Sequence, residues 1–267
     1  MNKEQLPQHL IDIIDKQVDK FKKHIEIIEK DEIPLYTDDF PSEQSNKWIK
    51  VTDVICVYVD MKNSTQFSAS SHANTTGKIY TLFTGTAVRV FKKLGAAYID
   101  IKGDGVFALF NKNQVHTALA AAVTFKTFTT SVFIPKIQAK KADFDTGSHI
   151  GIHQGPILVS KIGLRKSKDH ATDMFNEVWA GKTVNFTSKL ASYSDNNDII
   201  ASPKFYNNIK CYQALYACEC SDPVELWEEV DTSLEKKVPM DVVWRLQSEW
   251  CKKHGRDYLQ TIVDADK

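Results

Sequence analysis

Two aspartates carry the first chemical signal. Asp60 closes an apolar run over residues 53–60, and Asp104 sits in Lys102-Gly103-Asp104-Gly105, at the turn of a second β-prone stretch over residues 98–110. Carboxylates at the ends of neighbouring strands can converge on a hard cation. Magnesium or manganese suits such a pair, because it takes few carboxylates and completes its shell with substrate phosphates. The polar segment after Asp60, Met61-Lys62-Asn63-Ser64-Thr65, is short enough for its backbone N–H groups to cradle a phosphate chain. Two acids solvated at strand ends would show the same spacing, so these residues alone leave both readings open.

The elements that must position the pair follow from periodicity. Along residues 53–60, Ile55, Val57 and Val59 share one face, while Cys56, Tyr58 and Asp60 share the other. The following hairpin, residues 97–102 and 106–110 around Gly103-Asp104-Gly105, puts Ile99 and Ile101 on one side and Tyr98, Asp100 and Lys102 opposite. Two adjacent strands are thus expected to present a polar, carboxylate-bearing face away from their helices. Helical spacing covers residues 76–94, stopped by Gly95, and residues 114–130. Paired strands are expected at 149–153 and 157–162, separated by Gln154-Gly155-Pro156. A charged loop, LRKSKDHATDMFNE, comes next, then a helix from Lys182 and a strand over 198–201. The order β, α, β, β, α, β predicts an α+β, ferredoxin-like domain.

Residues 3–30 carry Leu10, Ile13, Ile14, Val18, Phe21, Ile25 and Ile28 at helical spacing, and Pro34 and Pro41 mark a connector. The expected organisation is an N-terminal amphipathic helix and connector over 1–47, the catalytic-size domain over 48–202, and a C-terminal extension over 203–267 packed on that domain. In this extension Lys236 and Lys237 could reach a phosphate chain, but a solvated charge pair is the first reading and they are left unassigned.

Bulk properties narrow the classes. The 267 residues are 42% hydrophobic and 25% charged, and 34 basic residues balance 34 acidic ones. No overall positive field exists to gather nucleic acid. Five cysteines form no even framework, and no signal-peptide pattern or long apolar run is evident, so a reducing cytoplasm with no membrane is expected. Cys218-x-Cys220 could be half of a metal site, but it lacks a matching second pair, and strand cysteines are the favoured reading. The eight histidines make no HExxH or HxH pattern, which argues against a zinc enzyme.

The motifs in their order resemble the class III nucleotidyl cyclases, the family of adenylate and guanylate cyclases. VYVDMKNST is similar to that family's first metal-aspartate strand and phosphate loop, and DIKGDGVFALF to its second metal-aspartate hairpin. HIGIHQGPILVSKIG resembles its Gly-Ile-His-x-Gly-Pro segment, and EVWAGKTVNFTSKLAS its Trp-x-Gly-x-x-Val-Asn helix start. The resemblance spans residues 50–202. It implies Asp60 and Asp104 as ligands of two divalent cations, Mn²⁺ or Mg²⁺, with the Met61 carbonyl as a further ligand. It also implies a phosphate loop at Asn63, Ser64 and Thr65, and a ribose-orienting role for Asn185. One helical turn after this asparagine, Lys189 stands where the family carries an arginine. Lysine keeps the charge and loses the planar fork. Sites in the family lie between two catalytic domains, so a single-domain chain implies a homodimer with composite sites.

Substrate choice is likewise implied by position. Adenylate cyclases carry a base-reading lysine four residues before the second metal aspartate and an aspartate seven residues before the asparagine; here these are Asp100 and Val178. With Tyr58 on the carboxylate face and Trp179 beside Val178, the base pocket differs from an adenine pocket. The stretches YIDIKGDGVFALFN and NEVWAGKTVN most resemble the bacterial pyrimidine cyclases of the Pycsar anti-phage system. That resemblance implies conversion of UTP to 3′,5′-cyclic UMP and diphosphate, with the product acting on a separate cyclic-nucleotide-responsive effector. CTP follows UTP as alternative substrate and GTP follows CTP. A degenerate domain that binds nucleotide without turnover is the non-enzymatic alternative.

Overall fold

The computed structural model describes residues 3–164, 174–195, 197–218, 220 and 224–267. In chain order the helices are α1 (Gln8–Phe21), α2 (Ser64–Ala69), α3 (Ala73–Lys93), α4 (Val115–Phe128), α5 (Ile134–Gln138), α6 (Lys182–Tyr193), α7 (Pro203–Asn207), α8 (Tyr212–Leu215) and α9 (Gly255–Asp264). The strands are β1 (Glu26–Lys30), β2 (Lys47–Met61), β3 (Tyr98–Lys102), β4 (Gly105–Asn111), β5 (Ser148–Leu164), β6 (Met174–Ala180), β7 (Ile199–Ala201), β8 (Trp227–Asp231) and β9 (Val242–Leu246).

One sheet runs β3-β4-β2-β5-β7-β9-β8, with β1 beside the first half of β2 and β6 beside the far half of β5. Its first four strands, with α3 and α4 as crossovers, are the ferredoxin-like arrangement expected from the sequence. The sheet then continues through β7, β9 and β8, so residues beyond 203 complete it.

Alternation along β2 decides what lies on each face. Ile55, Val57 and Val59 pack under α3 and α4 against Phe83, Phe91, Leu119 and Phe125. The opposite face is not the open polar surface expected above. Cys56, Leu109 and Phe107 are buried there beneath Ile33 and Phe40 of the N-terminal segment, with Trp179 and Val184 packed alongside. Only the hairpin end of this face stays polar. The stretch from α4 through α5, residues 115–138, is apolar and long enough to cross a membrane, yet most of it is buried in the core.

Three local expectations change. The N-terminal helix ends at Phe21, and Ile25 and Ile28 belong to the strand region instead, because residues 26–30 pair in parallel with residues 47–51 of β2. Leu10, Ile13, Val18 and Phe21 of α1 are exposed, Phe21 by 88%, so the apolar face of the helix points to solvent. Secondly, Gln154-Gly155-Pro156 makes no turn, and β5 runs through it. Val51 pairs with Ile157 and Val54 with Gly155, so Thr52 and Asp53 both oppose Pro156. This bulge falls where proline has no N–H to give. Thirdly, Cys218 and Cys220 lie outside the strands, between α8 and β8, close to Cys251 and His254. Of the expected charged loop, residues 165–173 lie outside the described residues, while residues 174–177 begin β6.

Candidate active site

Asp60 and Asp104 meet because of register. Val59 pairs with Val106, which brings Asp60 alongside Gly105 and the two-residue turn Gly103-Asp104. Gly103 supplies the positive φ of that turn, 68°. Gly105 supplies closeness: a β-carbon there would come within 2.1 Å of the Tyr58 hydroxyl and 3.0 Å of Asp60 Oδ1. Burial, and secondly the charge of Asp104, push the Asp60 carboxyl up to about 6, offset in part by the Met61 backbone N–H. Burial also raises the Tyr58 hydroxyl, helped by Asp60 and Asp104, so it stays protonated and can donate. A half-buried acid held against a second acid differs from two solvated strand ends. The donor set is hard oxygen, which fits magnesium or manganese.

The segment after Asp60 turns sharply into α2. The Met61 side chain is buried in the core, leaving its backbone at the site edge. Asn63 adopts a left-handed φ of 58°, and its side-chain amide donates to the Asp145 carbonyl at 2.9 Å. Ser64 and Thr65 open α2, whose first bond runs from Phe67 N–H to the Asn63 carbonyl; the preceding N–H groups emerge at its N-terminal end.

A cleft of about 320 Å³ gathers Tyr58, Asp100, Val178, Trp179 and Asn185, all expected from the sequence, and adds Lys102, Phe107, Val184 and Ser188. Trp179 is fixed as its wall by Tyr98, 4.6 Å between ring centres, and by Phe40 edge-on at 5.6 Å. Asp100 accepts from the Ile101 N–H at 2.8 Å and pairs with Lys102 at 2.7 Å. Asp60, Asp104 and Lys189 are not among the cleft's lining residues.

The Gly-Ile-His-x-Gly-Pro segment is what seats α6. A β-carbon on Gly151 would lie 2.3 Å from the Thr187 carbonyl and 2.6 Å from the Ala191 nitrogen, so the helix rests directly on the β5 backbone. The Thr183 hydroxyl donates to the Pro156 carbonyl at 2.6 Å and pins the first turn. His153 beneath it is held down to about 4, first by burial and then by the Lys204 charge, so it is neutral and structural. On this platform Asn185 faces the cleft, and Lys189 one turn later faces a neighbouring groove lined by Ser192, Tyr193, Glu235, Lys236 and Lys237. Lys236 and Lys237 are both exposed, as a solvated pair is, and they line the same groove as Lys189. Their sequence signal is only a Lys-Lys step in a loop, far from Lys189.

Residues 48–237 match the family described as the adenylate and guanylate cyclase catalytic domain. A uridylate cyclase of Propioniciclava tarda is 31% identical over 265 residues, covering 97% of this chain and 84% of that protein. A uridylate cyclase of Micromonospora echinofusca is 32% identical over 231 residues, covering 84% and 73%. Among solved structures, the guanylate cyclase domain from Catenaria anguillulae in complex with GTP superposes with a TM-score of 0.57 at 15% identity, covering 75% of this chain and 98% of that one.

Proposed function

We propose that this chain, which belongs to the family of adenylate and guanylate cyclase catalytic domains, is a nucleotidyl cyclase that takes UTP and releases 3′,5′-cyclic UMP and diphosphate. The observation carrying the substrate is Asp100, an acceptor at the cleft that Asn185 shares, walled by Val178 and Trp179. The two relatives named as uridylate cyclases support the same choice. Uracil offers its imide N–H to a carboxylate, whereas adenine would set its acceptor N1 against it.

In the reaction the ribose O3′ forms a bond to the α-phosphorus, the bond from that phosphorus to the α–β bridging oxygen breaks with diphosphate as the leaving group, and the 3′ proton passes to water. Two divalent cations, Mn²⁺ or Mg²⁺, held by Asp60, Asp104 and the Met61 carbonyl, would acidify the attacking hydroxyl and neutralise the phosphates. The backbone at Asn63, Ser64 and Thr65 cradles the phosphate chain. Asn185 orients the ribose, and Lys189 meets the charge that builds on the phosphate, with Lys236 and Lys237 in the same groove to hold the triphosphate. Tyr58 lines the base cleft of its own protomer while its hydroxyl lies beside that protomer's carboxylates, so one side chain touches both composite sites of the dimer.

The active form in this reading is a homodimer with two composite sites, Asp60 and Asp104 from one protomer facing Asn185 and Lys189 of the other. Its support is that the cleft's lining omits both metal-binding aspartates, and that the β5–β6 hairpin exposes Ile162, Leu164 and Met174. The product acts as a cytoplasmic second messenger in antiviral defence, through a cyclic-nucleotide-responsive effector. CTP is the second substrate reading, because the cytosine amine also donates to Asp100. Purified protein incubated with each of the four NTPs and Mn²⁺ should yield cyclic UMP as the dominant product by mass spectrometry. ATP as best substrate defeats the base reading, and nucleotide binding with no product from any NTP leaves only a binding domain.

A further inference from the structure

At the edge of the sheet away from the β3–β4 hairpin, four side chains from distant segments converge. Cys218 and Cys220 come from the loop between α8 and β8, and Cys251 and His254 from the turn entering α9. Their ligand atoms all lie within 4.8 Å of one another. Cys220 Sγ is 3.7 Å from Cys251 Sγ and 3.3 Å from His254 Nδ1. A tetrahedral zinc, with Zn–S near 2.3 Å and Zn–N near 2.0 Å, sets its ligands about 3.8 Å apart for sulfur–sulfur and about 3.5 Å for sulfur–nitrogen. The separations of Cys220 from Cys251 and from His254 lie close to those edges.

The Cys251-Lys252-Lys253-His254-Gly255 turn is tightly wound and puts Cys251 and His254 on the same side. Gly255 N–H closes it on the Cys251 carbonyl at 2.8 Å, and a β-carbon on Gly255 would lie 2.9 Å from Trp250 Cβ, so the turn needs glycine. The backbone N–H groups of His254 and Lys253 aim at Cys251 Sγ, so the turn orients this sulfur toward the cluster. A disulfide between Cys220 and Cys251 would use two groups and leave Cys218 and His254 idle. Soft thiolates with one imidazole, closed at four protein ligands, select zinc in a structural role over magnesium or manganese.

We propose that Cys218, Cys220, Cys251 and His254 bind one structural zinc ion that fastens the C-terminal segment to the sheet. What it fastens matters for the core. The Trp250 indole N–H donates to Thr124 Oγ1 of α4 at 2.9 Å. Beyond α9, Asp266 accepts from the backbone N–H groups of His116 at 3.1 Å and Thr117 at 2.6 Å, capping the start of α4. The zinc thus stabilises the end of the chain that holds the core helix, and it takes no part in nucleotide chemistry.

The test uses the untagged full chain purified under reducing conditions. Elemental analysis after dialysis should find about one zinc per chain, and cobalt substitution should give the visible bands of tetrahedral cobalt thiolate. Cys220→Ser and Cys251→Ser should each lose the zinc, whereas Asp104→Asn should keep it, which separates this site from the catalytic cations. If the cysteine variants fail to fold, zinc protection of Cys218, Cys220 and Cys251 from alkylation in the wild-type chain supplies the same answer. Wild-type protein that holds no zinc and takes up neither zinc nor cobalt on titration overturns the proposal, as does a Cys220–Cys251 disulfide in protein taken from reducing cells.

Discussion

Asp100 and Lys102 form an ion pair of 2.7 Å on the cleft side of the β3–β4 hairpin, just before the turn that carries Asp104. The Asp100 side chain is 23% exposed and that of Lys102 62%, so the lysine can swing into solvent while the aspartate stays at the cleft. A base N–H can therefore take the lysine's place. We expect Asp100→Ala to change the ranking of the four NTPs, and Lys102→Ala to leave the ranking intact. An unpaired polar edge costs about 1–3 kcal/mol, so preference for the best substrate should fall roughly 5-fold to 150-fold in Asp100→Ala. Competition assays with mixed NTPs read this directly, and a uniform loss on all four would assign Asp100 to the ion pair alone.

The pair Asp60 and Asp104 makes a prediction about pH. The Asp60 carboxyl lies above its usual range, at about 6, so without metal the folded state holds its proton more tightly than the unfolded chain does. That contribution is complete below about pH 4 and is lost as pH rises through about 6. Metal-free protein should lose stability across that window, and Mn²⁺ should restore it at neutral pH but not at pH 5. Asp60→Asn should gain about 1 kcal/mol at pH 7 after allowance for solvent screening, roughly 2–4 °C in melting temperature, and should abolish turnover. Thermal melts across pH, with and without Mn²⁺, decide the matter.

Composite sites predict complementation. Asp104→Ala and Asn185→Ala should each be inactive alone and recover activity when mixed, through heterodimers with one intact site. No recovery after demonstrated subunit exchange would count against the composite arrangement.

Gly151 tests the platform without touching substrate. Any side chain there meets the backbone of α6 at Thr187 and Ala191, which cannot rotate away. Gly151→Ala should destabilise the fold by about 1–3 kcal/mol and lower kcat by displacing Asn185 and Lys189 together. A variant with wild-type melting temperature and turnover would show that α6 is not set by this contact.

The Lys189 groove predicts a split between binding and rate. Lys236→Ala and Lys237→Ala should raise KM for UTP with modest loss of kcat, and Lys189→Ala should lower kcat strongly. Steady-state kinetics at two ionic strengths distinguish this from solvated lysines, whose removal would change neither.

What could be read from the chain alone was whatever bond geometry repeats locally. Period two put Ile55, Val57 and Val59 under the helices, glycine placed the turn at Asp104, and the start of α6 at Lys182 followed from its motif. Period alone could not tell that Ile25 and Ile28 flank and enter a strand, because their spacing also fits a helix and only pairing with β2 decides. Nor could it tell that the Cys56 face is covered, since its cover, Ile33, Phe40 and Trp179, comes from remote segments. The same holds for Lys236 beside Lys189, and for Cys220 brought to Cys251 across 31 residues. Such meetings depend on which surfaces the whole sheet buries against one another, a free-energy choice made by the assembled chain and not by any stretch of it.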